Sequence, residues 1–541
     1  MAKKNTLVRN ASILMVATIV SRIIGLIYRR PLGEILGTVG LGYYGYASNL
    51  YSILLLISSY SIPMAVSKIV SERLAKKDYR NSHKIFKGAL IYAVVVGGAF
   101  ALIAFFLGGF LLPANQQNAL PALRVLAPTI FLSAILGVFR GYFQAHSNMT
   151  PTSISQIAEQ IMNAIVSILA AWILISTFAP DGGTQAAIYG SVGGTMGTGA
   201  GVIVGLLFML FVYKINRKTI LRRADRDPHT HEESYKDIFG IIFMMITPII
   251  LTTFINNASM YLDSYIYSSI QGLNGIKADL IASAYGEFSN YFIPIINIPL
   301  ALASASAAAM MPEVSGSYAL GNYRKANGQI NQTLRLTMFI CIPCTLGLTV
   351  LAVPVMGVLF PGSTALSASL LMTGSSYVVV TAVSTVTGSV LQSIGKQRSA
   401  MINAALALGI NLALQSILLL AAPQLDIFAV MIASIVFSLG YCIFNALALK
   451  KYLGFTNEYK KTYFNPFIAS VGMAAVVAAI YYLLLNLTRR PFIGLIVSII
   501  VGIVVYLILF VLVSKMKEDE LATYPLGGKL VVFLKKIRIY R

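Results

Sequence analysis

Apolar residues run along this chain in blocks of about twenty, separated by short polar or basic joints. A helix of about 20 residues crosses about 30 Å of hydrocarbon. The blocks therefore predict fourteen membrane spans, at 10–28, 45–66, 85–112, 121–143, 154–178, 187–213, 238–266, 284–311, 333–360, 368–394, 400–422, 427–449, 466–487 and 492–514. No stretch between them is long enough to fold as a separate soluble domain. The first block is interrupted by Arg22 and lacks a small-residue cleavage site, so it reads as a retained span and not as a signal peptide. The fold class expected is an all-α polytopic membrane protein.

Composition agrees, since 57% of the 541 residues are hydrophobic and only 11% charged, which excludes a soluble enzyme. The net charge of +22 is sorted by side. Of 41 Lys and Arg, 33 fall on one face of the span pattern. Arg29, Arg30, Lys277, Arg489 and Arg490 fall on the other, and Arg22, Arg124 and Arg140 lie inside spans or at their rims. Translocated loops are poor in Lys and Arg, so both termini are expected in the cytoplasm. Basic loops placed this way meet anionic headgroups, and no nucleic-acid partner is expected. Cys341, Cys344 and Cys442 sit in apolar runs and read as packing residues. His83, His146, His229 and His231 fall in predicted cytoplasmic loops. The last two, beside Glu232 and Glu233, read as solvated and not as metal ligands.

A weaker pattern is an internal repeat. Ser48-Asn49 recurs as Ser289-Asn290, and Tyr79-Arg80 as Tyr323-Arg324. Gln144 and Gln392 both end a fourth span, and Asn163 and Asn411 both lie in a fifth. Six spans per copy is an even number, so both copies insert the same way up. The expected domains are 1–225 (spans 1–6), 226–455 (spans 7–12) and 456–541 (spans 13 and 14 with a basic tail). Two facing six-helix bundles suit alternating access around a site between them. A transporter is therefore expected, not an enzyme: no phosphate-binding loop, zinc signature or nucleophile–base order occurs.

Four ionisable residues fall well inside predicted spans: Arg22, Glu159, Asp263 and Glu287. Each costs about 2.5–3.5 kcal/mol at a helix centre, so such groups face a wet cavity or one another. Arg22 and Arg29 are seven apart and share a helix face. Guanidinium groups there suit a diphosphate. The alternative is that Arg22 is a counter-ion to Asp263 or Glu287. Those acids, with Asn256, Asn257, Ser259 and Asn290 nearby, are candidates to bind Na⁺ or take up a proton. Glu159 and Asn163 share a face of span 5 and read first as interhelical bonding. Arg124, Arg140 and Glu313 lie near span ends and are expected to snorkel. Gly193, Gly197, Gly201 and Gly205, each four apart, predict a close helix seam.

The segment Ser21–Arg30 (SRIIGLIYRR), followed by LGTVGLGYYGYASNLY, resembles the lipid II flippases of the MurJ type. It is closer to their YtgP and SpoVB-like branch, in the superfamily of multidrug, oligosaccharidyl-lipid and polysaccharide exporters. The resemblance implies fourteen helices, as two pseudo-symmetric six-helix lobes plus two C-terminal helices that groove the lipid tail. It implies transport of an undecaprenyl-diphosphate-linked glycan lipid to the outer leaflet of a bacterial cell membrane. Membrane lipids and the cell-wall synthesis machinery are expected partners. No cofactor is expected, with coupling to Na⁺, H⁺ or the membrane potential. The family's SR pair and second Arg match Ser21, Arg22 and Arg29. In the MurJ branch an Arg follows the acid opening span 8, whereas this chain has Phe288 after Glu287. The substrate contacts expected are Ser21, Arg22, Arg29, Glu287 and Asn290; the ion-coupling candidates are Asp263, Glu287 and Glu159. The alternatives are a flippase for another lipid-linked polysaccharide unit and a cation-coupled multidrug antiporter.

Overall fold

The computed structural model describes the backbone of residues 2–60, 62–146, 148–227 and 233–514. His229, His231, Glu232 and the basic tail from 515 lie outside the described residues, as does the side chain of Asn256. Among the described residues every regular element is helical. Eleven helices are long and apolar enough to cross a membrane, or twelve if a pair bent by 50° at Ser375–Ser376 is one span. Their unpacked sides are aliphatic: in Pro491–Ser514, Ile500 and Ile503 are 57% and 56% exposed. Such surface is stable only against lipid.

Packing divides the chain into two units, Met1–Gly286 and Glu287–Arg541. The first holds α1 (Ala2–Leu55), α2 (Ile62–Ala75), α3 (Tyr79–Leu102), α4 (Gly108–Leu111), α5 (Leu120–Ala145), α6 (Thr150–Phe178), α7 (Gly183–Asp225), α8 (Tyr235–Leu273) and α9 (Ala278–Glu287), the last residue excepted. The second holds α10 (Ile293–Ala319), α11 (Tyr323–Val350), α12 (Ala352–Leu359), α13 (Ala365–Gly374), α14 (Tyr377–Ser393), α15 (Gln397–Ala421), α16 (Ile427–Leu453), α17 (Asn465–Thr488) and α18 (Pro491–Ser514). The division lies past the boundary expected at 225, because α8 packs on α1, α2 and α3. The α1–α9 crossing adds to this. A β-carbon on Gly42 would overlap the Ala282 carbonyl, and one on Gly286 would lie 2.5 Å from the Thr38 carbonyl oxygen.

One expectation is corrected in α1. Residues 29–44, read as an outer loop, are helical, with the backbone broken only at Gly37 (φ 64°). The glycine-rich run reads as a loop, yet Leu32, Leu36, Leu41 and Tyr43 are buried and hold the helix together. Arg29 and Arg30 are thus helix residues, and Arg30 pairs with Glu34 at 3.4 Å. His83 is likewise not a loop residue, being buried in the first turns of α3, whereas His146 lies in the turn just past α5, as expected.

The repeat is visible as local geometry inside each unit. Lys77 and Gly321 both have positive φ, 60° and 69°. Asp78 and Asn322 then cap α3 and α11, accepting from the amides of Asn81 and Lys325, both at 3.0 Å. The amides of Asp78 and Asn322 bond back to the carbonyls of Arg73 and Ser317. After α5 and α14 the amides of Asn148 and Lys396 return to the carbonyls of Phe143 and Leu391. The first pair of turns is 244 residues apart and the second pair 248.

Candidate functional site

The first half of α1 has two sides. Ser21, Gly25 and Tyr28 recur at helical spacing and turn toward α6: a β-carbon on Gly25 would lie 3.4 Å from Gln160 Nε2, and the Tyr28 hydroxyl bonds with Tyr44 and Asn163. Ser21 Oγ is buried with no hydrogen-bond partner. Arg22 lies off that face and is exposed, as are Ile23 (53%) and Ile27 (66%) beside it. No ion pair or hydrogen bond engages Arg22 among the described residues. Its guanidinium, with five donors and a fixed charge, is open to a ligand. Arg29, one face-repeat on, is partly buried and acts electrostatically on the Tyr28 hydroxyl.

Glu159 joins this wall from α6, held by Arg140 of α5 in a 2.6 Å ion pair. Arg140 Nε also donates to Ser155 Oγ at 2.9 Å. Arg140, expected to snorkel, is therefore an internal counter-ion. The predicted glycine seam sets the geometry: a β-carbon on Gly201 would lie 2.5 Å from the Glu159 carbonyl oxygen, so α7 runs against α6 at backbone distance. Glu159 and Asn163 share a face as expected, and Asn163 Oδ1 accepts from Ser167 Oγ at 3.0 Å.

Asp263 of α8 is 5% exposed and accepts from Ser259 Oγ at 2.7 Å. Near it the Tyr285 hydroxyl of α9 bonds with Ser264 and Asn49. Tyr46 stacks on the Tyr285 ring at 4.6 Å. This is a buried polar junction of α1, α8 and α9. Among the described residues no group of three or more His, Cys, Asp or Glu is placed to hold a metal ion.

Glu287 has a different setting from the one its sequence suggests. It is 1% exposed and caps α13. Its carboxylate accepts from Thr364 Oγ1 at 2.7 Å, from Ser367 Oγ at 2.5 Å, and from the amides of Thr364 and Ser367 at 3.3 and 3.1 Å. A carboxylate there satisfies the free amides of the helix start and its positive dipole end. Asn290, 4% exposed, lies in the wide turn Phe288–Phe292 and donates to Ser289 Oγ at 3.0 Å.

A further polar cluster had no sequence signal. Tyr43 of α1 donates to Asp279 Oδ1 at 2.6 Å, Thr184 Oγ1 donates to Asp279 Oδ2 at 3.1 Å, and Asn118 Nδ2 donates to the Tyr43 oxygen at 3.0 Å. Asn115 exchanges two hydrogen bonds with Ser268, at 2.7 and 2.8 Å. The connection 113–120 is thus tied to α1, α8 and α9 at one end of the unit.

Comparison with known proteins fits this architecture. The chain is 27% identical over 476 residues to the lipid II flippase MurJ of Bacillus subtilis (strain 168), covering 83% of this chain and 84% of that one. It is 22% identical over 535 residues to stage V sporulation protein B of the same organism, 98% and 99% covered. Among solved structures, MurJ in an inward closed conformation superposes with a TM-score of 0.68 at 15% identity, over 92% of this chain and 98% of that one. An inward-facing multidrug resistance transporter of the MATE family, in the MOP superfamily, gives 0.62 at 17% identity, over 80% and 94%. MurJ and the MATE protein are a flippase and a transporter, not enzymes, and the chain is a multi-pass membrane protein. The model of the polysaccharide biosynthesis protein family matches residues 7–318, more than half of the sequence, and the chain belongs to that family.

Proposed function

We propose that this protein is a flippase that carries lipid II, the undecaprenyl-diphosphate-linked peptidoglycan precursor, from the inner to the outer leaflet by alternating access. The observation that carries the reading is Arg22: a permanent cation in an apolar helix, exposed, with no acid among the described residues holding it. An unpaired charge in such a helix is costly, and a diphosphate is the anion that a guanidinium binds best through paired oxygens. Arg29, seven residues on, extends the cationic face, whereas the Ser21 hydroxyl is buried on the α6 side. Similarity to MurJ supports the same cargo. The prenyl tail stays in lipid, alongside the apolar α17 and α18. Both termini lie in the cytoplasm on the charge pattern, and the flipped lipid is handed to the cell-wall synthesis machinery.

Coupling, in this reading, belongs to Asp263. It is buried beside the Ser259 and Tyr285 hydroxyls, which offer hard oxygen ligands to Na⁺ or stabilise a proton. Glu287 and Glu159 are already engaged, by a helix start and by Arg140. A second reading, a flippase for another lipid-linked polysaccharide unit, is favoured by the family's description and by the full-length similarity to stage V sporulation protein B.

Depletion in the native cell tests the proposal. Lipid II should accumulate in the inner leaflet and be cleared when the wild-type gene is restored. Unchanged lipid II distribution, with another undecaprenyl-linked glycan accumulating instead, would favour the second reading.

A further inference from the structure

The first unit carries a cavity apart from the α1 face. It has a volume of about 210 Å³ and lies among the ends of α2, α3, α5 and α7. Tyr79, Ser82, His146, Asn148, Asn216 and Arg223 supply its polar lining, and among the described residues no carboxylate faces it. His146 Nδ1 lies 2.9 Å from the Tyr142 carbonyl oxygen. That carbonyl accepts from Nδ1 and fixes the ring, leaving Nε2 as an acceptor that can meet a P–OH.

The duplication supplies an internal control. The second unit builds the same two turns, yet at the positions equivalent to Ser82, Tyr142 and His146 it has Ala326, Val390 and Ile394. The fold therefore needs no polar groups at these places. What the first unit gains is a hydroxyl and an imidazole aimed at one small space, with a guanidinium from α7 added. These groups, present in this copy and not in the other, are available to a polar ligand.

We infer that this cavity binds a tetrahedral phosphate, either the headgroup of an acidic phosphomonoester lipid or free inorganic phosphate. A lining of hydroxyl and amide groups with one Arg and, among the described residues, no acid selects an anion. The volume suits a phosphate with a few waters, at about 30 Å³ per water. It is too small for a nucleotide, since drug-sized sites span about 300–1,000 Å³. The turn at Lys76–Asp78 beside it belongs to the basic end of the helices, where anionic headgroups are expected.

Two arms of one experiment test this and separate the sources. Full-length protein in detergent is titrated with inorganic phosphate by calorimetry. The same protein in phosphatidylcholine nanodiscs, with and without phosphatidic acid, is examined by native mass spectrometry for retained phosphatidic acid. Binding is expected in at least one arm, weakened about tenfold or more by Arg223→Gln, as for loss of a charge-assisted contact. It should be unchanged by Lys396→Gln in the matching turn of the second unit. His146→Leu, which imitates Ile394, should fold normally and also weaken binding. Failure to bind in both arms, or equal binding by wild type and Arg223→Gln, would overturn the inference. Whichever arm binds identifies the source. The outcome is independent of lipid II transport, which Arg22 tests.

Discussion

Tyr43 and Asp279 are 236 residues apart in sequence, and the tyrosine hydroxyl donates to the carboxylate at 2.6 Å. The bond ties the middle of α1 to the first turn of α9, and Thr184 and Asn118 complete it. A hydrogen bond to a charged acceptor contributes about 1.5–3 kcal/mol, enough to bias the opening of this end. Tyr43→Phe should therefore speed labelling of a cysteine at Ala119, fully buried in the wild type, by a membrane-impermeant thiol reagent. The expected gain is about tenfold. Equal labelling rates would mean that the tie does not hold this end closed.

Arg140 and Glu159 make a partly buried pair, and each is costly to leave alone. Glu159→Gln should lower stability by about 1–3 kcal/mol, because Arg140 keeps only Ser155. The double variant Arg140→Met/Glu159→Leu should recover most of that loss. Thermal unfolding in detergent reads both. A destabilised double variant would argue against simple charge compensation.

Glu287 acts as the cap of α13. Glu287→Gln should cost about 1–2 kcal/mol in the thermal unfolding of the protein, from loss of the charged acceptor at a helix start. It should leave transport by the surviving folded protein intact. Unchanged melting with lost transport would return Glu287 to the coupling role its sequence position suggests.

Burial lowers the pKa of His146 below its ordinary value of 6.5, and the neighbouring Arg223 lowers it further, against the Tyr142 carbonyl that raises it. The unfolded chain therefore binds a proton near that pH which the folded protein does not. Stability contributed by neutral His146 is present above about pH 6.5 and is lost as pH falls below it. Melting temperature should drop on acidification, with a smaller slope in His146→Asn. An identical slope in the variant would show that other groups set the acid sensitivity.

Much of this was legible in the sequence. Apolar blocks and the repeated Tyr79-Arg80 and Tyr323-Arg324 marked the helices and the duplication, because hydrophobic length and capping chemistry are local. Gly193 to Gly205 announced the α6–α7 seam for the same reason. The partners of charged residues were not legible. Glu287 finds its amides at Thr364 and Ser367, 77 and 80 residues away, and Asp279 finds Tyr43 at a far greater distance. No periodicity encodes such pairs. Residues 29–44 misled because glycines and tyrosines resemble a loop until Leu32, Leu36, Leu41 and Tyr43 are seen buried.

Purified protein reconstituted in vesicles, with outward movement of lipid II followed over time, decides whether Arg22 serves the substrate. Arg22→Ala should abolish movement while its melting temperature stays within about 0.5 kcal/mol-equivalent of wild type, as for other exposed positions. Arg22→Lys should restore only part, since an ammonium keeps the charge and loses the paired geometry. Movement of lipid II by a folded Arg22→Ala variant at the wild-type rate would contradict a guanidinium-bound diphosphate.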